Sequence, residues 1–326
     1  MNFTFFCKHC GQKIEADEKW IGRDGECPSC GKAIVILSCI DDPHAELKEH
    51  IRKYPGLSNY QRTRVCLKQK KYSAAADLMN SPDLSPEQRF ELEIQYYFEH
   101  QNWETARDRA RVFIKTYPQS PVGYRWLAEI IDDGFHEREE SLSLSTKAIE
   151  FDPNYTEAYI VRGNTKRWLD EPDFIGARRD YRAALKIDPE NMLAYSGLGW
   201  VYLEEDNEKA LRYFKECITR DTFHLSYGAL QGAAMVAWRV GEFAQAIKWL
   251  DSAIEIAPEW YLYQTKACVL HEFRGAPDRQ KSIADAFRNI CKAVAVYPED
   301  AELRDNLPSL AYKILRTLRQ DEDIDS

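Results

Sequence analysis

Beyond residue 40, apolar side chains recur with a helical period, and one short sequence motif is repeated several times. This motif begins with a small residue, contains two or three apolar residues and ends in a proline, as in Ala-Ile-Glu-Phe-Asp-Pro at residues 148–153. The final positions of its six copies are Pro118, Pro153, Pro189, Thr222, Pro258 and Pro298. Neighbouring copies lie 33 to 40 residues apart, which indicates one supersecondary unit repeated along the chain.

Each unit also has a small residue twelve positions before its final proline or threonine. These residues are Ala106, Ser141, Ala177, Ala210, Ala246 and Ala286. A larger residue usually follows four positions later, as at Tyr181 and Phe214. Small residues let two antiparallel helices approach closely, large ones fill the gap to the next pair, and proline ends the second helix. The pattern predicts helical hairpins at 57–80, 85–117, 121–151, 154–187, 190–220, 225–256 and 259–296.

This arrangement resembles the tetratricopeptide repeat (TPR) family over residues 57–298, and residues 195–202 match the family's first-helix pattern almost completely. The resemblance implies an all-α fold, a right-handed solenoid of about seven hairpins. Another solenoid of helical pairs is the alternative. An amphipathic segment at 299–318 is expected to cap the solenoid as a helix, and 319–326 to form a disordered acidic tail.

Four of the nine cysteines form two Cys-x2-Cys pairs, Cys7 with Cys10 and Cys27 with Cys30, separated by sixteen residues. This spacing is typical of a four-thiolate site and predicts one structural Zn2+ within residues 1–38. Iron in a rubredoxin-like site uses the same ligands, so iron remains an alternative to zinc. A thioredoxin-like redox motif is disfavoured, because the strand–helix context that it needs is not present here. The segment resembles the small β zinc ribbons at the N-termini of many bacterial proteins. Residues 39–56 are expected to be a linker with a short helix.

Composition and charge narrow the class of protein. The chain is 44% hydrophobic and 30% charged, as globular proteins are, and no apolar run is long enough to span a bilayer. Residues 1–6 do not read as a secretory signal, so we expect a cytoplasmic protein. The net charge is −9, and five basic residues balance five acidic ones in the ribbon. Nucleic-acid binding is therefore disfavoured, although a regulator whose ribbon reads DNA or RNA remains the alternative.

The family resemblance also implies where a partner would bind. The first helix of each hairpin lines a concave surface, with binding residues at its second, fifth, ninth, twelfth and thirteenth positions. Counting from Gly163 and Gly199 as eighth positions gives the candidates Asn164, Arg167, Trp168, Trp200, Gln231, Trp238 and Arg239. Such a groove suits a peptide or helix with an apolar anchor. The alternative is that the three tryptophans only pack between hairpins.

The same count extends the groove into the earlier hairpins through seven residues: Glu91, Gln95, Glu99, Arg125, Glu129, Asp132 and Asp133. It does not reproduce the carboxylate clamp of chaperone-binding TPR domains, because Ile160 and Gly197 stand where that clamp needs lysine and asparagine.

The sequence contains no recognisable catalytic constellation. Its seven histidines are scattered, and no glycine-rich phosphate loop is present. The remaining cysteines, Cys66, Cys217, Cys268 and Cys291, are expected to be small buried hydrophobes. We therefore expect a non-enzymatic protein–protein interaction scaffold with the ribbon as a cap or second docking module. A thiol redox or metal sensor is a third reading.

Overall fold

The computed structural model describes residues 2–6, 13–17, 24–26, 33–35, 56–221 and 225–296, with residues 28, 31, 223, 311 and 314. The four cysteines predicted to bind zinc lie outside the described residues, as do most of the linker, most of the capping segment and the acidic tail. The chain divides into two compact units, residues 1–102 and residues 103–326.

The first unit begins with two β-hairpins. Strand β1 (Asn2–Phe6) pairs antiparallel with β2 (Lys13–Asp17), so that Phe3 lies opposite Ala16. Strand β3 (Asp24–Glu26) pairs in the same way with β4 (Ala33–Val35).

Three helices complete the description of the first unit: α1 (Asn59–Lys68), α2 (Tyr72–Met79) and α3 (Pro86–Glu99). Helices α1 and α3 each begin with a capping box, in which Ser58 or Ser85 exchanges hydrogen bonds with a glutamine three residues later. Leu67 and Leu92 are buried in the core that these helices share.

The second unit contains eleven described helices. They are α4 (Trp103–Thr116), α5 (Pro121–Phe135), α6 (Arg138–Phe151), α7 (Thr156–Arg167), α8 (Phe174–Ile187), α9 (Met192–Tyr202), α10 (Asn207–Arg220), α11 (Tyr227–Arg239), α12 (Phe243–Ile256), α13 (Trp260–Glu272) and α14 (Arg279–Val296). From α5 onward they pair as antiparallel hairpins, and each hairpin packs on the next. None of the helices among the described residues is both long and apolar enough to cross a bilayer.

Successive hairpins pack together through buried aromatic rings that contact glycine residues on the neighbouring helices. The Tyr181 ring of α8 lies against Gly163 of α7 and Gly197 of α9, where an added Cβ would come within 2.9 and 2.3 Å of it. Phe214 of α10 lies in the same way against Gly199 of α9 and Gly232 of α11. Both rings are fully buried. Large side chains thus fill a space that only glycine leaves open.

The small residues of the repeat lie between the two helices of a pair. All six residues at this position, from Ala106 to Ala286, are fully buried. First helices of neighbouring hairpins also contact one another, α5 with α7, α7 with α9 and α9 with α11, whereas second helices approach one another less closely. The first helices therefore form the inner side of the stack in this unit.

The last described hairpin is covered on its far side. Ile314 is helical and fully buried, and it packs with Leu270, Ile283 and Ile290 of α13 and α14. A full capping helix over 299–318 remains a prediction, because most of that segment lies outside the described residues.

Candidate partner-binding surface

An arginine between two tryptophans lies where α7 ends. The Arg167 guanidinium lies 5.5 Å from the centre of the Trp168 ring and 5.7 Å from that of Trp200 on α9. Trp168 is 61% exposed, whereas Trp200 is half-buried with its ring edge-on to Phe214. The arginine is thus within cation–π distance of both rings, and one ring presents most of its surface to solvent. We call Arg167, Trp168 and Trp200 the aromatic–arginine site.

Buried Tyr181 lies directly beneath this site. Its hydroxyl donates a hydrogen bond of 2.7 Å to Oδ1 of Asn164 and also interacts with Arg167. Burial raises the pKa of Tyr181 to about 12, so the phenol remains a donor at neutral pH. Because the tyrosine occupies the oxygen of Asn164, the amide NH2 of that side chain stays available as a donor.

Arg167 differs from the other cations of α7 in its charge partner. Arg162 and Lys166 both bind the buried carboxylate of Asp180, at 2.6 and 2.8 Å. Arg167 has no carboxylate within 4.0 Å among the residues that the structure describes. Its positive charge is therefore available to a bound anion.

The candidates on α11 are placed differently. The Trp238 indole N–H donates to Glu272 at 2.8 Å, and Arg239 donates to the backbone oxygen of Leu203 at 2.5 Å and to Glu204 at 2.6 Å. Trp238 thus links α11 to α13, and Arg239 links α11 to the turn that follows α9. The third candidate, Gln231, is half-buried on the same helix.

The candidates that the count placed in the earlier hairpins differ in exposure. Of the seven, Glu99 and Glu129 are half-buried and Asp133 is exposed. The other four are buried: Glu91, Gln95, Arg125 and Asp132. Glu91 accepts a hydrogen bond from Tyr60, and Asp132 accepts one of 2.8 Å from Thr165 on the next first helix. Buried polar groups of this kind need internal partners, so these four residues join helices. A groove lined by the other three remains a prediction.

The remaining cysteines divide by exposure. Cys66 and Cys217 are buried, as predicted, and Cys268 is half-buried. Cys291 is exposed, so the expectation of burial is wrong there. A cysteine on a mostly apolar helix face can lie at the edge of that face, and the periodicity alone does not separate the edge from the centre.

Comparison with known proteins identifies the repeat. The family model for the tetratricopeptide repeat matches residues 227–259, which contain α11 and α12. Human tetratricopeptide repeat protein 6 is 28% identical over 142 residues, covering 43% of this chain and 27% of the human protein. The chain thus aligns with about a quarter of this curated relative.

Solved structures agree on the fold. The crystal structure of the APC/C hetero-tetramer Cut9–Hcn1 superposes with a TM-score of 0.62 at 15% identity, over 81% of this chain and 51% of the matched chain. A tetratricopeptide repeat protein from Parabacteroides merdae gives a TM-score of 0.53 at 15% identity, over 78% and 99% of the two chains. The helical part of this chain is therefore a solenoid of the tetratricopeptide repeat type, and residues 227–259 are one of its repeats.

Proposed function

We propose that this chain is a non-enzymatic scaffold that binds a protein or peptide segment on the inner side of its second unit. Proteins with TPR solenoids typically act as protein–protein interaction scaffolds, which supports the class. The observation that carries the proposal is the aromatic–arginine site, where an arginine with no carboxylate partner in the described part of the chain lies between an exposed and a half-buried tryptophan.

The chemistry of the site indicates what the segment contains. A carboxylate near Arg167 would form a charge-assisted hydrogen bond, and the Asn164 amide NH2 offers a second donor close by. An apolar or aromatic side chain would cover Trp168, which otherwise presents most of its surface to water. Tryptophan and arginine are also the residues that most often dominate binding energy at interfaces. We therefore propose a ligand segment with an acidic residue beside an apolar anchor.

The N-terminal residues form a separate part of the proposal. The spacing of Cys7, Cys10, Cys27 and Cys30 supports one structural Zn2+ held by four thiolates. Such a site has no open position for catalysis, so the metal would stabilise the ribbon as a cap or second docking module.

Selection from a random peptide library tests the scaffold proposal without knowledge of the natural partner. The full chain is immobilised and a phage-displayed library is panned on it, with the Arg167→Gln/Trp168→Ala variant panned in parallel. The wild type is expected to enrich peptides with an acidic residue next to an aromatic or aliphatic one, and the variant to lose this enrichment. Equal enrichment of the same peptides by the variant would contradict the assignment of the site.

A further inference from the structure

Helices α8 and α10 are both basic, although the chain as a whole is acidic. Together they contain eight lysine or arginine residues and three aspartate or glutamate residues, whereas the whole chain has a net charge of −9. Both are second helices, so they lie on the side of the stack away from the aromatic–arginine site.

Cations from both helices form a patch around a pair of tyrosines, in which Glu205 pairs with Arg178 and Asp206 with Lys209. Tyr202 and Tyr213 stack with ring centres 5.6 Å apart. Arg182 of α8 donates to the Tyr202 hydroxyl at 2.9 Å, and Lys209 of α10 lies 5.6 Å from the same ring. Arg212 lies 5.4 Å from the Tyr213 ring. The tyrosine pair therefore connects the cations of one hairpin to those of the next.

Most of the cations in this patch form no ion pair with a described carboxylate. Five exposed side chains have no carboxylate within 4.0 Å among the described residues: Arg179, Arg182, Lys186, Arg212 and Lys215. Residues 179, 182 and 186 are spaced by three and four, so they lie on one face of α8, and residues 212 and 215 do the same on α10. We call these five residues the basic outer face.

We propose that the basic outer face is a second docking surface, and that it binds an acidic polypeptide segment of a protein partner. Residues 179 to 186 span about 10 Å along α8 at the rise of an α-helix, which is close to two turns of a partner helix or a few residues of an extended chain. A set of unpaired cations of this length is complementary to a short run of aspartate and glutamate.

Two observations favour an acidic segment over nucleic acid or an anionic membrane. The rest of the chain is acidic, so an extended polyanion that continued past the patch would meet repulsion. The tyrosines also offer no stacking platform for bases, because Tyr202 is 8% exposed and already lies against Tyr213.

Fluorescence anisotropy with a labelled oligoglutamate peptide of about ten residues, long enough to span the patch, tests the proposal on the full chain. The test variant is Arg179→Gln/Lys186→Gln/Lys215→Gln, whose three side chains are exposed. The control variant, Arg111→Gln/Lys115→Gln/Lys248→Gln, removes the same charges from exposed positions on other second helices. We expect salt-sensitive binding that weakens about tenfold in the test variant and less than about twofold in the control.

Three outcomes would overturn the proposal. They are an absence of oligoglutamate binding by the wild type, equal weakening in both variants, and tighter binding to duplex DNA or phosphatidylserine vesicles than to oligoglutamate. The Arg167→Gln/Trp168→Ala variant separates this surface from the aromatic–arginine site, since it removes the cation of that site and oligoglutamate binding is expected to weaken less than about twofold in it.

Discussion

Replacing Gly232 with alanine is expected to destabilise the stack of hairpins in the second unit. A Cβ at this position would lie 2.2 Å from Cζ of Phe214 and within 2.6 Å of two further ring carbons. Carbon atoms in van der Waals contact are about 3.5 to 4.0 Å apart, so the ring would have to move by more than about 1 Å. It has no room to do so, because it is fully buried and its other edge meets Gly199.

The magnitude follows from two opposed terms. Alanine is favoured over glycine inside a helix by about 1 kcal/mol. Overpacking a filled core costs about 1 to 3 kcal/mol, and this contact is at the severe end of that range. We therefore expect Gly232→Ala to lower the free energy of unfolding by about 1 to 2 kcal/mol in spite of the gain in helix propensity.

Urea denaturation followed by circular dichroism measures the effect, and the same helix provides a matched control. An added Cβ at Gly228 would meet nothing within 4 Å, so Gly228→Ala is expected to leave stability unchanged or raise it by up to about 1 kcal/mol. Phe214→Leu removes the opposing ring, and Gly232→Ala should cost less in that background than alone. Equal effects of the two glycine substitutions, or a Gly232→Ala protein as stable as the wild type, would refute the packing argument.

Three further predictions concern titration, thiol reactivity and metal content. Burial raises the pKa of Asp132, so the native state holds this proton more tightly and the free energy of unfolding falls as pH rises from the ordinary aspartate pKa through the raised one. Asp132→Asn should flatten this part of the stability–pH profile, and an unchanged profile would count against the burial argument. Burial also raises the pKa of the Cys217 thiol to about 11, whereas Cys291 is exposed. Iodoacetamide at neutral pH should therefore label Cys291 more than about tenfold faster than Cys217, as followed by mass spectrometry. Equal labelling rates of the two cysteines would contradict this prediction. Elemental analysis should find one zinc per chain and less in Cys27→Ser, and iron in its place would show that the metal was wrongly assigned.

The spacing of prolines and small residues was sufficient to predict the helical stack. Ala177 and Ala210 are fully buried between the helices of their pairs, and Tyr181 and Phe214 fill the gaps between hairpins, as their positions in the repeat predicted. A repeat fixes the same packing geometry in each unit, so a position in one unit predicts the environment in the next.

The binding surface was predictable only in part, because surface residues do not follow the repeat. Position counting treats the twelfth residue of every first helix alike, yet Arg167 is only half-buried, while Asp132 is buried and accepts a hydrogen bond from Thr165 of the following hairpin. Whether a given side chain is covered depends on the residues that the neighbouring hairpins place beside it. The basic outer face was missed for a similar reason, since a net charge of −9 conceals a local excess of cations.

The most direct test of the scaffold function is calorimetric titration with a peptide enriched by the wild-type protein. Trp168→Ala removes the exposed ring of the aromatic–arginine site, and Ile175→Ala removes a side chain of similar exposure, 60%, from α8. We expect Trp168→Ala to weaken binding by at least about tenfold, or about 1.4 kcal/mol, with thermal stability unchanged, and Ile175→Ala to bind as the wild type does. Equal affinities of the wild type and Trp168→Ala would contradict the assignment of partner binding to this surface.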